Sequence, residues 1–114
     1  MGDCLFCRIA AGKIPATLAA ETDDLVAFHD VKPQAPVHVL VIPRRHIAGL
    51  NDLDPGDEGL VGRMFGLART LAARLGIAER GWRTVFNVGP DAGQTVFHLH
   101  LHVMGGRPLG WPPG

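Results

Sequence analysis

Across residues 98–103 polar and apolar side chains alternate without a break, the two-residue period of a half-buried β-strand. Same-face residues of a strand stand roughly 6.5–7 Å apart, so His98, His100 and His102 form a row along one face. Leu99, Leu101 and Val103 point the other way, into a core. Residues 25–30 predict a second strand, with Val26, Phe28 and Asp30 on one face and His29 in a structural position on the other. Residues 37–42 predict a third, ended by Pro43, and residues 82–88 a fourth. Leu60, Met64, Leu67, Ala68, Leu71 and Leu75 recur at helical spacing, with Asp57 and Glu58 in the first turn and Gly76 at the end. That segment predicts one long helix, whose role is packing. Leu5, Phe6 and Ile9 predict a short N-terminal helix closed at Gly12.

Composition narrows the class. A chain of 114 residues with 46% apolar side chains fits one globular domain, 1–114, large enough for a real core. Fifteen glycines and nine prolines indicate many turns. The formal net charge is zero, which argues against a broad electrostatic footprint for nucleic acid or an anionic membrane. A bound anion must therefore be held by local groups. No apolar run approaches the roughly 20 residues that span a bilayer. The opening Met1-Gly2-Asp3 carries neither a signal peptide nor a myristoylation motif, so a cytoplasmic protein is expected.

The histidine row is the candidate site. Half of the six histidines lie at alternate positions of one segment, and imidazoles at neutral pH suit anion handling, metal ligation or nucleophilic attack. The remaining candidates are less specific alone. Asp30 is either a solvated strand end or an acceptor for a sugar diol, and His38 is either a satisfied core histidine or part of the site. The loop Gly93-Gln94-Thr95 could close backbone N–H groups on a phosphate, or be an ordinary connection. Arg44-Arg45-His46 reads most simply as a solvated positive loop. Both cysteines stand in Cys4-Leu5-Phe6-Cys7. A redox pair, half of a zinc site and two unrelated thiols all stay open. A redox motif should follow a strand and open a long helix, which this one does not, and two Cys need histidine partners to close a tetrahedral zinc site. In the tail, Gly105-Gly106 turns the chain sharply, and Trp111 before Pro112-Pro113 needs a docking surface, most simply a neighbouring subunit.

Taken together, these segments resemble the histidine-triad (HIT) nucleotide-binding proteins, and among them the Hint branch. His98-Leu99-His100-Leu101-His102-Val103-Met104 matches the family signature of histidines alternating with apolar residues. The likeness extends to Ala27-Phe28-His29-Asp30, Pro33-Gln34-Ala35-Pro36-Val37-His38, Val41-Ile42-Pro43-Arg44-Arg45-His46, Gly93-Gln94-Thr95 and Trp111-Pro112-Pro113-Gly114.

The resemblance implies an α+β fold: an antiparallel sheet of about five strands, one long helix and a short N-terminal helix. It implies a homodimer in which two sheets join and the tail approaches the partner's site. His100 takes the place of the nucleophile, His102 that of an α-phosphate ligand, and His38 that of the buried histidine behind them. Thr95 stands where Hint proteins usually carry Ser and keeps the hydroxyl that assists the departing amine. Val88 stands where an acidic residue is common. Asp30 matches the ribose ligand, Phe6, Ile9, Ile14, Phe28 and Leu40 the purine pocket, and Asn87, Gly93 and Gln94 positions around the phosphate. Some members of the superfamily hold one structural zinc through a pair of Cys and two His, matched here by Cys4, Cys7, His46 and His98. The implied reaction is hydrolysis of purine nucleoside phosphoramidates, such as adenosine 5′-monophosphoramidate, through a nucleotidyl-histidine. The alternatives are cleavage or phosphorolysis of dinucleoside polyphosphates, and a nucleotide-binding interaction module with vestigial turnover. A third is a metalloenzyme with a catalytic ion on His98, His100 and His102.

Overall fold

A computed structural model describes residues 3–114; the reading of Met1-Gly2 lies outside the described residues. Five strands form one antiparallel sheet: β1 (Leu18–Glu21), β2 (Leu25–His29), β3 (Val37–Pro43), β4 (Trp82–Val85) and β5 (Leu101–Gly105). Their order is β1-β2-β3-β5-β4, so β3 lies at the centre, flanked by β2 and β5, and β4 at one edge. The helices α1 (Leu5–Ala10) and α2 (Glu58–Arg74) cover opposite faces.

The two faces divide as the alternation requires. On one, Leu25, Ala27, Val39, Val41, Leu101 and Val103 pack with Leu60, Met64, Ala68 and Leu71 of α2. Burying each such large side chain contributes about 1.5–3 kcal/mol, so this layer supplies the bulk of the hydrophobic stabilisation. On the other, Val26, Phe28, Leu40 and Ile42 pack against Phe6 of α1. The register sets Leu40 opposite His102 and His38 opposite Met104, which makes His38 and His102 diagonal neighbours on the α1 face. Helix α2 is prepared by Asp57, whose Oδ2 accepts the Asp54 N–H at 2.9 Å and whose Oδ1 pairs with Arg45. The helix stops at Gly76, whose φ of 78° only glycine adopts freely.

Several elements differ from their sequence reading. Strand β1 was not legible: Leu-Ala-Ala-Glu has neither β-branched nor aromatic residues, and it forms as a bulged edge on β2. The histidine strand is shorter than expected, because β5 begins at Leu101 and leaves His98 and His100 outside the ladder. The next partners of the β3 ladder would run to Pro43, which has no N–H to give, so the pairing ends and the Leu99 N–H turns to the Ile47 carbonyl. The inward alternation persists all the same, since Leu99 is buried with Leu101 and Val103. Strand β4 ends at Val85 rather than at residue 88, ahead of the turn at Gly89, whose φ is 83°. Arg44 is no solvated cation either. It donates to the carbonyls of Thr22 (3.1 Å) and Ala10 (3.1 Å), tying α1 to the β1–β2 hairpin. Among the described residues, no helix is long and apolar enough to cross a membrane.

Candidate active site

A cleft of about 720 Å³ opens on the α1 face, within the range of small-molecule sites. Its walls include Phe6, Ile9, Ile14, Phe28 and Leu40, with Asp30, Thr95, His100 and His102 as polar groups. Those nine were singled out from the sequence. Leu5, Thr17, Val31, Val96 and His29 also line it and were not. The alternation assigns His29 to the opposite face as structural; it is the last residue of β2, and there the strand runs out beside the cleft. Phe6 packs edge-on against Phe28, His98 and His100, with ring centroids 5.4, 6.1 and 5.1 Å away.

Backbone groups set the proton on each triad histidine. His100 Nδ1 lies 2.7 Å from the His98 carbonyl oxygen, which can only accept. The ring proton therefore sits on Nδ1, and Nε2 keeps its lone pair for the cleft. His98 Nε2 lies 2.8 Å from the Pro43 carbonyl, so its proton is on Nε2 and its Nδ1 lone pair faces Cys4 and Cys7. The backbone N–H of Gln34 donates to His38 Nδ1 at 3.0 Å, which puts the His38 proton on Nε2. That proton is given to His102 Nδ1 at 2.9 Å, with Asp30 Oδ2 3.4 Å away. His102 is left with an Nε2–H donor. The site thus offers a nucleophilic nitrogen on His100 beside a neutral N–H donor on His102, the two rings 5.1 Å apart.

Burial keeps the His102 and His38 rings neutral. Desolvation, then the neighbouring His100 and His38, push His102 down to about 4. Desolvation also lowers His38, against the opposing pull of Asp30. In the unfolded chain both take up a proton near the ordinary value of about 6.5, so between about 4 and 6.5 the unfolded state binds more protons. Stability is accordingly full above about pH 6.5 and falls as the pH drops through that window. Calorimetric melting temperatures should decline from about pH 7 to about pH 5, and decline less in His102→Gln. A flat profile would contradict this assignment.

Asp30, His38 and His102 are also close enough for a metal ion. The tautomer argues otherwise: with His38 Nδ1 already accepting from Gln34, Nε2 carries the proton and has no lone pair to give. This cluster is a hydrogen-bond relay. Nor do the rings of His98, His100 and His102 converge on one ion, since His98 presents Nδ1 to the cysteines while His100 faces the cleft.

A second cluster does fit an ion. The ligating atoms of Cys4, Cys7, His46 and His98 all lie within 4.8 Å of one another. His46 Nδ1 is 3.3 Å from Cys7 Sγ, and His98 Nδ1 is 3.4 Å from Cys4 Sγ and 3.5 Å from Cys7 Sγ. Burial, then the hydrogen bond and charge of Cys4, push the Cys7 thiol up, the penalty of two sulfurs held together that a cation would reverse.

Three residues expected around a phosphate are placed otherwise. Asn87, Gly93 and Gln94 do not line the cleft. The Gln94 side chain is buried and committed to backbone: Nε2 donates to the carbonyls of Ala48 (2.8 Å) and Val96 (3.2 Å), and Oε1 accepts from the Gly89 N–H (2.9 Å). It staples the 89–95 loop. Gly93 holds a left-handed turn in that loop, with φ 86°.

A five-stranded sheet that presents alternating histidines to a cleft beneath a short N-terminal helix is the architecture of a HIT domain. The family model for the HIT domain matches residues 11–109, and the chain belongs to that family. An uncharacterized HIT-like protein of Synechocystis is 49% identical over 98% of this chain and 97% of its own length. The purine nucleoside phosphoramidase of Escherichia coli K12 is 41% identical over 95% of this chain and 91% of its own. The crystal structure of a HIT family hydrolase from Legionella pneumophila superposes with a TM-score of 0.96 at 49% identity, covering 98% of this chain and 100% of that one.

Proposed function

We propose that the chain, as one HIT domain over 1–114, hydrolyses purine nucleoside phosphoramidates to the nucleoside monophosphate and an amine. The observation that carries this is the His100 tautomer: Nδ1–H held by the His98 carbonyl at 2.7 Å leaves Nε2 as a neutral nucleophile in the cleft. The name of the 41% identical E. coli relative supports the substrate class.

In the proposed reaction the purine lies among Phe6, Ile9, Ile14, Phe28 and Leu40, and the Asp30 carboxylate accepts from the ribose diol. His100 Nε2 attacks the α-phosphorus, and the bond from phosphorus to the amine nitrogen breaks. The leaving nitrogen takes the Thr95 hydroxyl proton, which solvent water replaces. His102 Nε2–H donates to a non-bridging oxygen, where charge builds up in the transition state. Water then attacks the nucleotidyl-imidazole, releasing His100 and the monophosphate. Asn87, Gly93 and Gln94 support the phosphate side by shaping the 87–95 segment.

Cys4, Cys7, His46 and His98 suit a structural zinc, one per chain. A tetrahedral site with Zn–S near 2.3 Å and Zn–N near 2.0–2.1 Å has S···N edges of about 3.6 Å. The contacts of 3.3, 3.4 and 3.5 Å match that edge. Bound there, zinc would add fold stability and hold the His98 ring in place. A homodimer is proposed with it. Strand β4 is a sheet edge, Phe65 pairs with Phe86 beside it while 43% exposed, and Trp111 is 83% exposed in the single chain. A cytoplasmic location suits the two free cysteines.

Turnover of adenosine 5′-monophosphoramidate should exceed that of a dinucleoside polyphosphate by about 100-fold or more in kcat/KM, a difference of about 2.7 kcal/mol in the barrier. The reverse preference would move the chain to the polyphosphate-cleaving reading, and no turnover of either to that of a binding module.

A further inference from the structure

The Gly105-Gly106 turn and the arginine after it have no part in the chemistry above, yet they reach the loop behind the site. Arg107 lies 73 residues from Gln34, and its Nε (3.0 Å) and Nη2 (2.8 Å) both donate to the Gln34 carbonyl. Its Nη1 donates to the Pro108 carbonyl at 2.8 Å, which holds the guanidinium in its own tail segment. The approach depends on Gly106. Its φ is 95°, and a Cβ there would stand 2.9 Å from Pro36 Cβ, so only glycine lets the tail close on this loop.

Gln34 is the residue whose N–H sets the tautomer of His38. The contacts form a continuous chain: the Arg107 guanidinium to the Gln34 carbonyl, the Gln34 N–H to His38 Nδ1, and His38 Nε2–H to His102 Nδ1. At its far end stands the Nε2–H of His102, the donor assigned above to the phosphate. The Gln34 N–H decides which way the relay runs, together with the Asp30 carboxylate 3.4 Å from His38 Nε2. If the N–H moves off His38 Nδ1, Asp30 alone favours the Nε2 proton and an Nδ1–H population becomes accessible. With the proton on Nδ1, His38 Nε2 becomes an acceptor. His102 then turns its own proton inward, onto Nδ1, and presents a bare lone pair where the phosphate needs a donor.

We infer that Arg107 is a positioning residue for catalysis: it clamps Gln34 so that His38 and His102 keep the tautomers that leave an N–H on the phosphate side. The inference rests on the proposed reaction for its catalytic consequence, but the tautomer itself can be read without any turnover. Loops with two prolines are stiff already, and the clamp on the Gln34 carbonyl fixes the residue whose N–H, one peptide group earlier, meets His38. Arg107 is exposed, and the loss of its hydrogen bonds should cost little global stability.

The test uses the full chain with 15N-labelled histidine, as wild type, Arg107→Met and Arg107→Lys. Long-range 1H–15N correlation spectra distinguish an Nδ1–H from an Nε2–H imidazole. The wild type should show His38 and His102 both as Nε2–H. In Arg107→Met, an Nδ1–H population should appear at both residues, kcat for adenosine phosphoramidate should fall about tenfold and KM should change less than about twofold. Arg107→Lys, which can restore one of the two hydrogen bonds, should recover part of both effects. It also decides the matter if Arg107→Met does not fold. Wild-type tautomers in both variants, or a fall in kcat without a tautomer change, would overturn the inference. Shifted tautomers in a protein whose wild type has no phosphoramidase turnover would support the clamp and overturn the proposed reaction instead.

Discussion

His100→Ala should lose about 10³-fold or more in kcat/KM on adenosine 5′-monophosphoramidate while binding adenosine monophosphate within about threefold of wild type. The expectation follows from how the cleft divides its work. In the proposed reaction the binding contacts come from the apolar walls, Asp30 and His102, none of which depends on the His100 ring alone to keep its place. Phe6 is held by Phe28 and His98 as well as by His100, so truncating His100 leaves the wall standing. What goes is the Nε2 lone pair to which the proposed mechanism assigns the attack, its tautomer set by the His98 carbonyl. No neighbour can replace it. His98 Nδ1 faces the cysteines, and His102 presents a proton in place of a lone pair. His100→Asn should behave alike, since an amide is no nucleophile at neutral pH. Turnover near the wild-type rate in either variant, measured with binding intact, would remove His100 from the mechanism.

The second large effect is expected on metal removal. Protein purified without chelator should carry one zinc per chain by elemental analysis. Stripping it should lower the melting temperature by about 10 °C or more, because a few kcal/mol of binding to the folded state disappears in a chain of this size. The cluster joins α1, the segment after β3 and the segment before β5 through Cys4, Cys7, His46 and His98, so a cation there cross-links three parts of the chain. The initial rate at room temperature should fall less than about twofold, since the His98 carbonyl that orients His100 belongs to the backbone. Cys4→Ser should reproduce the thermal loss. Metal-free protein with Cys4 and Cys7 joined to each other would favour the redox reading. Turnover lost on chelation with the melting temperature unmoved would make the ion catalytic.

The parts of the fold that were legible are those where one side chain per position carries the message. The apolar stripe from Leu60 to Leu71 named α2, and the alternation at Leu99, Leu101 and Val103 named the buried face of the histidine segment. Strand β1 was hidden because Leu-Ala-Ala-Glu owes its conformation to pairing with β2. The early end of the β3–β5 ladder was written in Pro43, but it needs the register to be read. The site divides in the same way. Nine cleft-lining side chains could be named from residue types and the family likeness, whereas the tautomers could not. They are set by the Pro43 and His98 carbonyls and the Gln34 N–H, backbone groups that do not mark residue type. Gln94 shows the converse case: the family likeness sets its position around the phosphate, and its side chain is spent on three backbone partners.

The central claim is that His100 Nε2 takes the nucleotidyl group, and rapid quench of the enzyme during turnover of substrate labelled at the α-phosphorus tests it most directly. A labelled adduct should form within the first turnover, survive mild base, be lost in acid as phosphoramidate bonds are, and map to the peptide containing His100. Label on another residue, or product formed at the wild-type rate without any protein-bound label, would contradict it.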